Sequence, residues 1–200
     1  MSLQRLKIVS DYLNKNYDNY SIIDLGCRTK DLKALLSGYS KYIGTDLVAG
    51  DGVIPCDLEK PLPFKNDEYD IVCILDVLEH LDNAHHAVKE LGRVAKNVVV
   101  ISLPNIAHWT FRLRFLFRGS ISGKYTFNPN PGTDRHRWVT NYDESKEFIK
   151  KNFPKDKINI INIIPQRGRT RIISSPLESL LAKFFPNTFI YGIVAIIDIT

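Results

Sequence analysis

Two hundred residues suit one domain whose core is large enough to do without disulfides. With 44% hydrophobic and 24% charged residues and no low-complexity tract, a disordered or fibrous chain is excluded. The net charge of +5 permits an anionic partner without demanding one, because many of the lysines are scattered as on an ordinary solvated surface.

No internal repeat is present, and residues 1–20 carry no apolar core of signal-peptide type. The longest apolar run, residues 190–199, is too short to span a bilayer and reads as a core strand. Cys27, Cys56 and Cys73 are odd in number and lack metal-ligand spacing, so they read as small buried residues of a reducing compartment. A soluble, cytoplasmic protein is the expectation.

In chain order, Leu3, Leu6, Val9, Tyr12 and Leu13 recur at helical spacing and predict an amphipathic helix over 3–14 that serves packing alone. Ile22 and Ile23 then read as a buried strand with Asp24 at its carboxyl end. Gly26 opens a turn, and residues 31–36 look like a short helix. Strand, glycine turn and helix make the first unit of an open α/β sheet, whose ligands bind outside the carboxyl ends of the strands. Residues 41–46 form a second strand ending in Asp46, about twenty residues past the glycine turn, a position from which a carboxylate can accept from two adjacent ribose hydroxyls. A surface aspartate ending a strand is the alternative.

A short stretch around Val53 leads to Asp57 and Leu58, then to Leu62, Pro63 and Phe64. Residues 71–75 are a continuous apolar run with two faces to bury, as a central parallel strand requires, and Asp76 ends it. Glu79 and His80 begin the next connection. Asp82 can cap a helix whose apolar face is Ala84, Ala87, Val88, Leu91, Val94 and Ala95. His85 and His86 then fall on or beside its exposed side, with no second ligand pair at metal spacing, so no metal site is expected. Residues 97–105 are a fifth strand. Residues 106–119 interleave aromatic and aliphatic side chains with Arg112, Arg114 and Arg118, and 120–137 read as a mobile loop rich in Gly, Pro, Asn and Ser. Asn141 with Glu144 has the form of a capping box before another helix. Strands at 157–164 and 188–199 close the chain. They are joined by a long connection holding Arg167, Arg169 and Arg171, an anion site or a solvated turn, and a helix near 177–185.

The stretch 21–30 resembles motif I of class I S-adenosylmethionine (SAM) methyltransferases, an acidic residue followed by three alternating glycines. Gly26 is the one glycine kept, with Arg28 and Lys30 in the other two positions. Asp57, Leu62-Pro63-Phe64, Tyr69-Asp70, Val72 and Leu78-Glu79-His80 resemble the pattern of the "type 11" methyltransferases, in order and at the usual spacing. The resemblance covers about residues 20–105. The further order of Ser102-Leu103-Pro104-Asn105, an arginine, His136, a threonine and a helix resembles MetW-like proteins, a branch named for methionine biosynthesis and associated with acyltransferases of homoserine metabolism.

These resemblances imply a single Rossmann-like domain over 1–200. Its sheet would be doubly wound, mostly parallel and seven-stranded, with an antiparallel strand in the C-terminal pair and a cap or loop insertion at 106–140. They imply SAM as cofactor and S-adenosylhomocysteine as product. Asp24, Gly26 and Arg28 would lie at the amino-acid part and Asp46 at the ribose. Asp57 would accept from the adenine amino group beside the Leu58 backbone, and Asp76 would lie near the methionine part or the acceptor. His136 and His80 lie on the acceptor side, where an imidazole could take a proton, although Glu79 and His80 could equally only anchor their loop. Arg28 would point outward, fill the methionine pocket, or pair with the cofactor carboxylate. The segment 106–119 would cap the acceptor pocket, lie on a membrane surface, or pack with its arginines outward.

Two functions follow. One is a methyltransferase acting on a small, glycan-linked or lipid-linked acceptor. The other is a non-catalytic, methyltransferase-like regulatory subunit that binds a protein partner. An NAD-dependent dehydrogenase shares the first strand and ribose acid but leaves the Leu-Pro-Phe and Leu-Glu-His stretches unexplained. Nucleic acid is not expected as a substrate, because Leu75-Asp76-Val77-Leu78 stands where an Asn/Asp-Pro-Pro-aromatic motif would end strand four.

Overall fold

The computed structural model describes residues 3–126, 134–164 and 175–199. Seven strands are ordered β3-β2-β1-β4-β5-β7-β6 in one sheet. They are β1 (Tyr20–Leu25), β2 (Tyr39–Asp46), β3 (Val53–Pro55), β4 (Tyr69–Leu75), β5 (Ala95–Pro104), β6 (Lys157–Ile163) and β7 (Gly192–Asp198). The pairs β2–β3, β1–β2, β1–β4 and β4–β5 are parallel, and β7 runs antiparallel to both β5 and β6. This is the doubly wound, mostly parallel sheet expected, with its single reversed strand last.

The central strands are apolar on both sides because both faces are covered. Helix α1 (Leu3–Asn16) packs Leu6, Val9 and Leu13 on one face, against Ile22, Ile71 and Val100. Helices α2 (Ala84–Val94) and α4 (Tyr142–Asn152) cover the other face, against Ile23, Val72 and Val99. Chain order reverses between β1 and β4, which opens the crevice at the carboxyl edge where such sheets bind ligands. No helix among the described residues is long and apolar enough to cross a membrane.

Three local expectations are corrected. Residues 31–36 do not form an α-helix; a single 3-10 turn, Lys33–Leu35, stands there. Arg28 and Lys30 both take positive φ (54° and 58°), so no helix extends back before Asp31, and six residues are too few to repay the cost of nucleating an α-helix on their own. The last strand begins at Gly192, not at 188, because a short helix α6 (Pro186–Phe189) precedes it with proline in its first turn. Helix α2 is capped by Asn83, whose Oδ1 accepts from the His86 amide at 3.1 Å, and not by Asp82. The cap expected at Asn141 is present, accepting from the Glu144 amide at 3.0 Å. The arginines at 167, 169 and 171 lie outside the described residues, as does 127–133 of the expected loop.

Past β5 the chain turns into α3 (Trp109–Arg118), which is fastened to α5 (Ser175–Phe184) through one buried carboxylate. Glu178 Oε1 accepts from Trp109 Nε1 at 2.8 Å and lies 3.2 Å from His108 Nε2, all three residues being buried. Burial holds His108 below its ordinary pKa, so the imidazole is neutral. It donates from Nε2 and accepts the Thr110 hydroxyl at Nδ1, 2.8 Å away. Removing the carboxylate strands two buried donors. Glu178→Ala is expected to cost about 2–4 kcal/mol in urea unfolding, and Glu178→Gln, which keeps one acceptor oxygen, distinctly less.

Candidate active site

The turn after β1 hangs from the end of β2. The amides of Gly26 and Cys27 both donate to the Thr45 carbonyl at 2.8 Å, and the Arg28 amide donates to Asp46 Oδ2 at 2.9 Å. Gly26 has φ +75°, and a Cβ there would stand 2.5 Å from Val77 Cγ2, so only glycine fits. The other two glycine positions of the motif hold side chains, yet Arg28 and Lys30 keep the left-handed backbone that glycine would adopt. The path of the loop therefore survives the substitutions, at about 1 kcal/mol for each strained residue. The Arg28 side chain is exposed, and its charge is felt at the His80 imidazole. Lys30 instead crosses to the Asp51 carbonyl and ties down the loop after β2.

Asp46 and Asp57 come together at adjacent strand ends, because Asp46 pairs with Pro55 in the β2–β3 register and the Cys56 amide donates to the Asp46 carbonyl. Asp57 is held below the ordinary carboxylate range by the Glu59 amide and by Lys60, 3.0 Å from its Oδ2. Leu58 next to it is buried. Directly after Asp46, Leu47 and Val48 are 66% and 72% exposed, an apolar pair beside two carboxylates that sequence reasoning passed over. The sequence signal was available: two aliphatic residues following a strand that has already ended.

Asp76, at the end of β4, takes φ 53°. Its carboxylate accepts from Ser102 Oγ at 2.8 Å and forms an ion pair with Arg5 of α1. The helix that carries Arg5 was expected only to pack, and Arg5 itself was not singled out. It falls on the buried stripe with Val9 and Leu13, four and eight residues on, and that misplaced charge was its signal. Asp24 is buried beneath the turn, where Tyr42 donates to its Oδ2 at 2.7 Å. Burial pushes the Asp24 carboxyl up to about 6 despite that hydrogen bond, with Asp46 and Asp31 adding repulsion.

The acceptor-side residues also meet. The segment 135–140 is clamped to the turn after β4: the amides of Arg137 and Trp138 donate to the Glu79 carbonyl at 2.8 and 3.3 Å, and Trp138 Nε1 donates to the Leu81 carbonyl at 2.7 Å. This brings His136 to His80, their rings 4.4 Å apart edge to face. Glu79 is buried, and desolvation pushes its carboxyl up to about 7. Burial likewise lowers both imidazoles, His136 to about 4, with the other imidazole and Lys124 adding to the effect on His136. Beside them a cavity of about 200 Å³ is lined by Leu78, Glu79, Leu103, Trp138, Thr140 and Phe148 among others. His85 is exposed as expected, but His86 is half-buried.

This strand order, with a glycine turn after β1 and acids ending β2 and β4, defines a class I SAM-dependent methyltransferase fold. Among solved structures, a SAM-dependent methyltransferase from Thermotoga maritima matches with a TM-score of 0.62 at 13% identity, over 99% of this chain and 92% of that one. Magnesium protoporphyrin IX methyltransferase from Synechocystis PCC 6803, solved with bound S-adenosylhomocysteine, gives 0.60 at 18%, over 98% and 82%. A complex of the Haloferax volcanii Trm112 methyltransferase activator with a methyltransferase gives 0.59 at 13%, over 98% and 90%. The family model "Methionine biosynthesis protein MetW" matches residues 11–131, and the chain belongs to that family. No curated protein sequence matches it.

Two outcomes test the loop. Arg28→Gly and Lys30→Gly each relieve a left-handed side chain and are expected to raise unfolding stability by about 0.5–1 kcal/mol. Asp24 binds its proton more tightly folded than unfolded, so its contribution falls as pH rises from about 4 to about 6 and stays low above that. Urea unfolding of Asp24→Asn against the parent at pH 4.5 and 7.5 should therefore favour the variant more at 7.5, by about 3 kcal/mol at most.

Proposed function

We propose that the protein is a SAM-dependent methyltransferase acting on a small, glycan-linked or lipid-linked acceptor. The observation that carries this is the loop after β1, which keeps the left-handed path at Gly26, Arg28 and Lys30 while the Arg28 side chain stays in solvent. That path keeps the turn in the shape a cofactor would need even where two non-glycine residues must adopt it.

The residues fit the group. Asp46 keeps a carboxylate at the end of β2 for ribose hydroxyls, and Asp57 offers an acceptor to an exocyclic amine beside the Leu58 backbone. Leu47 and Val48, exposed beside Asp46, would supply the apolar cover that a planar base needs. Arg5 and Asp76 present opposite charges to the carboxylate and ammonium of an α-amino acid, next to the Gly26 turn. Asp24, held by Tyr42, would act on the cofactor through the turn it supports from below. When bound, SAM supplies a methyl group activated on a sulfonium.

The chain's own contribution to transfer is position and dryness. The acceptor would enter over the ends of β4 and β5, against Glu79, His80 and His136. Both imidazoles are neutral there, so either could take the proton of a hydroxyl or amine acceptor. The adjoining 200 Å³ cavity is mostly apolar and suits a small hydrocarbon part.

A second reading, a regulatory subunit that holds a protein partner, is favoured by one observation. On α3, Leu116 and Phe117 are 72% and 78% exposed beside Phe115, an apolar outward face that the fold does not use. The Haloferax volcanii relative of this fold was solved with an activator protein, which makes such a partner reasonable for this chain. Calorimetric titration with SAM, and separately with S-adenosylhomocysteine, decides between the two. Micromolar binding that Asp46→Ala weakens tenfold or more, about 1.4 kcal/mol, is the expected result. A folded protein that gives no heat with either ligand at two temperatures would overturn the enzyme reading and favour the partner.

A further inference from the structure

We infer that Glu79, His80 and His136 form a binding site for one divalent transition-metal ion. Ligand atoms of the three residues all lie within 4.8 Å of one another. Two ligands on one tetrahedral ion with bonds of about 2.1 Å stand about 3.4 Å apart, so side-chain rotations that move ligand atoms by about an ångström close the set.

Hydrogen bonding shows that the three groups meet as acceptors. His80 Nδ1 lies 2.9 Å from the Arg135 carbonyl, which can only accept, so the ring proton is on Nδ1 and the lone pair is on Nε2. The Tyr125 hydroxyl donates to the Trp138 carbonyl at 3.2 Å and lies 2.7 Å from His136 Nδ1. With that proton given to the carbonyl, His136 carries its own proton on Nδ1, donates it to the hydroxyl, and keeps its Nε2 lone pair for a ligand. His136 Nε2 and Glu79 Oε2 are both buried and have no hydrogen-bond partner. One proton among the three groups can bridge two of them and leaves the third orphaned, whereas a cation satisfies all three. The two Nδ1 bonds are also what metal-bound imidazoles make, since they fix tautomer and ring orientation.

Two nitrogens and one carboxylate select the ion. Zinc, manganese, cobalt and ferrous iron accept that set, while calcium and magnesium prefer oxygen throughout. Three protein ligands leave coordination positions open beside the acceptor side of the cleft. If the methyltransferase reading holds, an acceptor oxygen bound there becomes more acidic, and the imidazoles act as ligands in place of bases. The metal site itself does not depend on that reading, because it is defined without the cofactor.

The test uses the full chain, free of any histidine tag and stripped with a chelator, with no SAM present. Zinc, manganese and cobalt chlorides are titrated separately by calorimetry, and the thermal midpoint is followed with each. One equivalent bound with a raised midpoint is expected for at least one of these ions, with both effects lost or weakened at least tenfold in His80→Ala and in His136→Ala. Because His86 lies on α2 outside both the cluster and the adjoining cavity, His86→Ala should bind as the parent does. No stoichiometric binding of any of the three ions to folded protein would overturn the site, as would binding that survives both cluster substitutions. Neither outcome bears on whether SAM binds, which the separate titration reads.

Discussion

The backbone bonds that hang the β1 turn from the end of β2 set the shape of the whole carboxyl edge. Three successive amides, those of Gly26, Cys27 and Arg28, converge on the Thr45 carbonyl and the Asp46 carboxylate. That convergence forces the chain through left-handed conformations at residues 26, 28 and 30. It also consumes the residues from which a crossover helix would start. The price is a connection between parallel strands that has only a 3-10 turn where an α-helix commonly runs. What is gained is a fixed Asp46 and an open floor bounded by Gly26 and Asp76.

Most of the sheet was legible in the sequence because strands buried on both faces must be apolar throughout, and few other structures are. Residues 71–75 and 97–104 carry that signature, and both are strands. The failure at 31–36 has a specific cause: Asp31, Leu32, Ala34, Leu35 and Leu36 have helical propensity, but propensity sees neither positive φ upstream nor its tertiary origin. Strand ends were legible as acids following apolar runs, so Asp24, Asp46 and Asp76 were found. Their partners were not. Arg5 and Tyr42 are joined to them only by the packing of α1 and β2, and no spacing rule connects positions 5 and 76.

The acceptor side shows the same limit more sharply. His136 lies 56 residues beyond His80, and metal-ligand spacing was tested along the chain, where His85 and His86 attracted the search instead. The structure brings His136 back through backbone bonds from residues 137 and 138 to the Glu79 carbonyl, which are silent in sequence because any residue but proline could make them. The clamp uses amides to place side chains, so side-chain patterns could not foretell it.

Two of the buried polar sets among the described residues differ in an informative way. At the α3–α5 junction, Glu178, His108 and Trp109 satisfy one another: two donors meet a carboxylate, and the remaining imidazole nitrogen meets Thr110. That closed network fastens a helix whose outer face carries exposed Phe115, Leu116 and Phe117. At the carboxyl edge, by contrast, the Glu79 carboxylate and the His136 imidazole each keep a buried acceptor atom with nothing to receive. Stability alone does not explain leaving the second set open, since each orphaned group costs about 1–3 kcal/mol. An open acceptor set at the end of β4, beside the cleft and rigidly backed by Tyr125 and the Arg135 carbonyl, is what a site looks like before its ligand arrives.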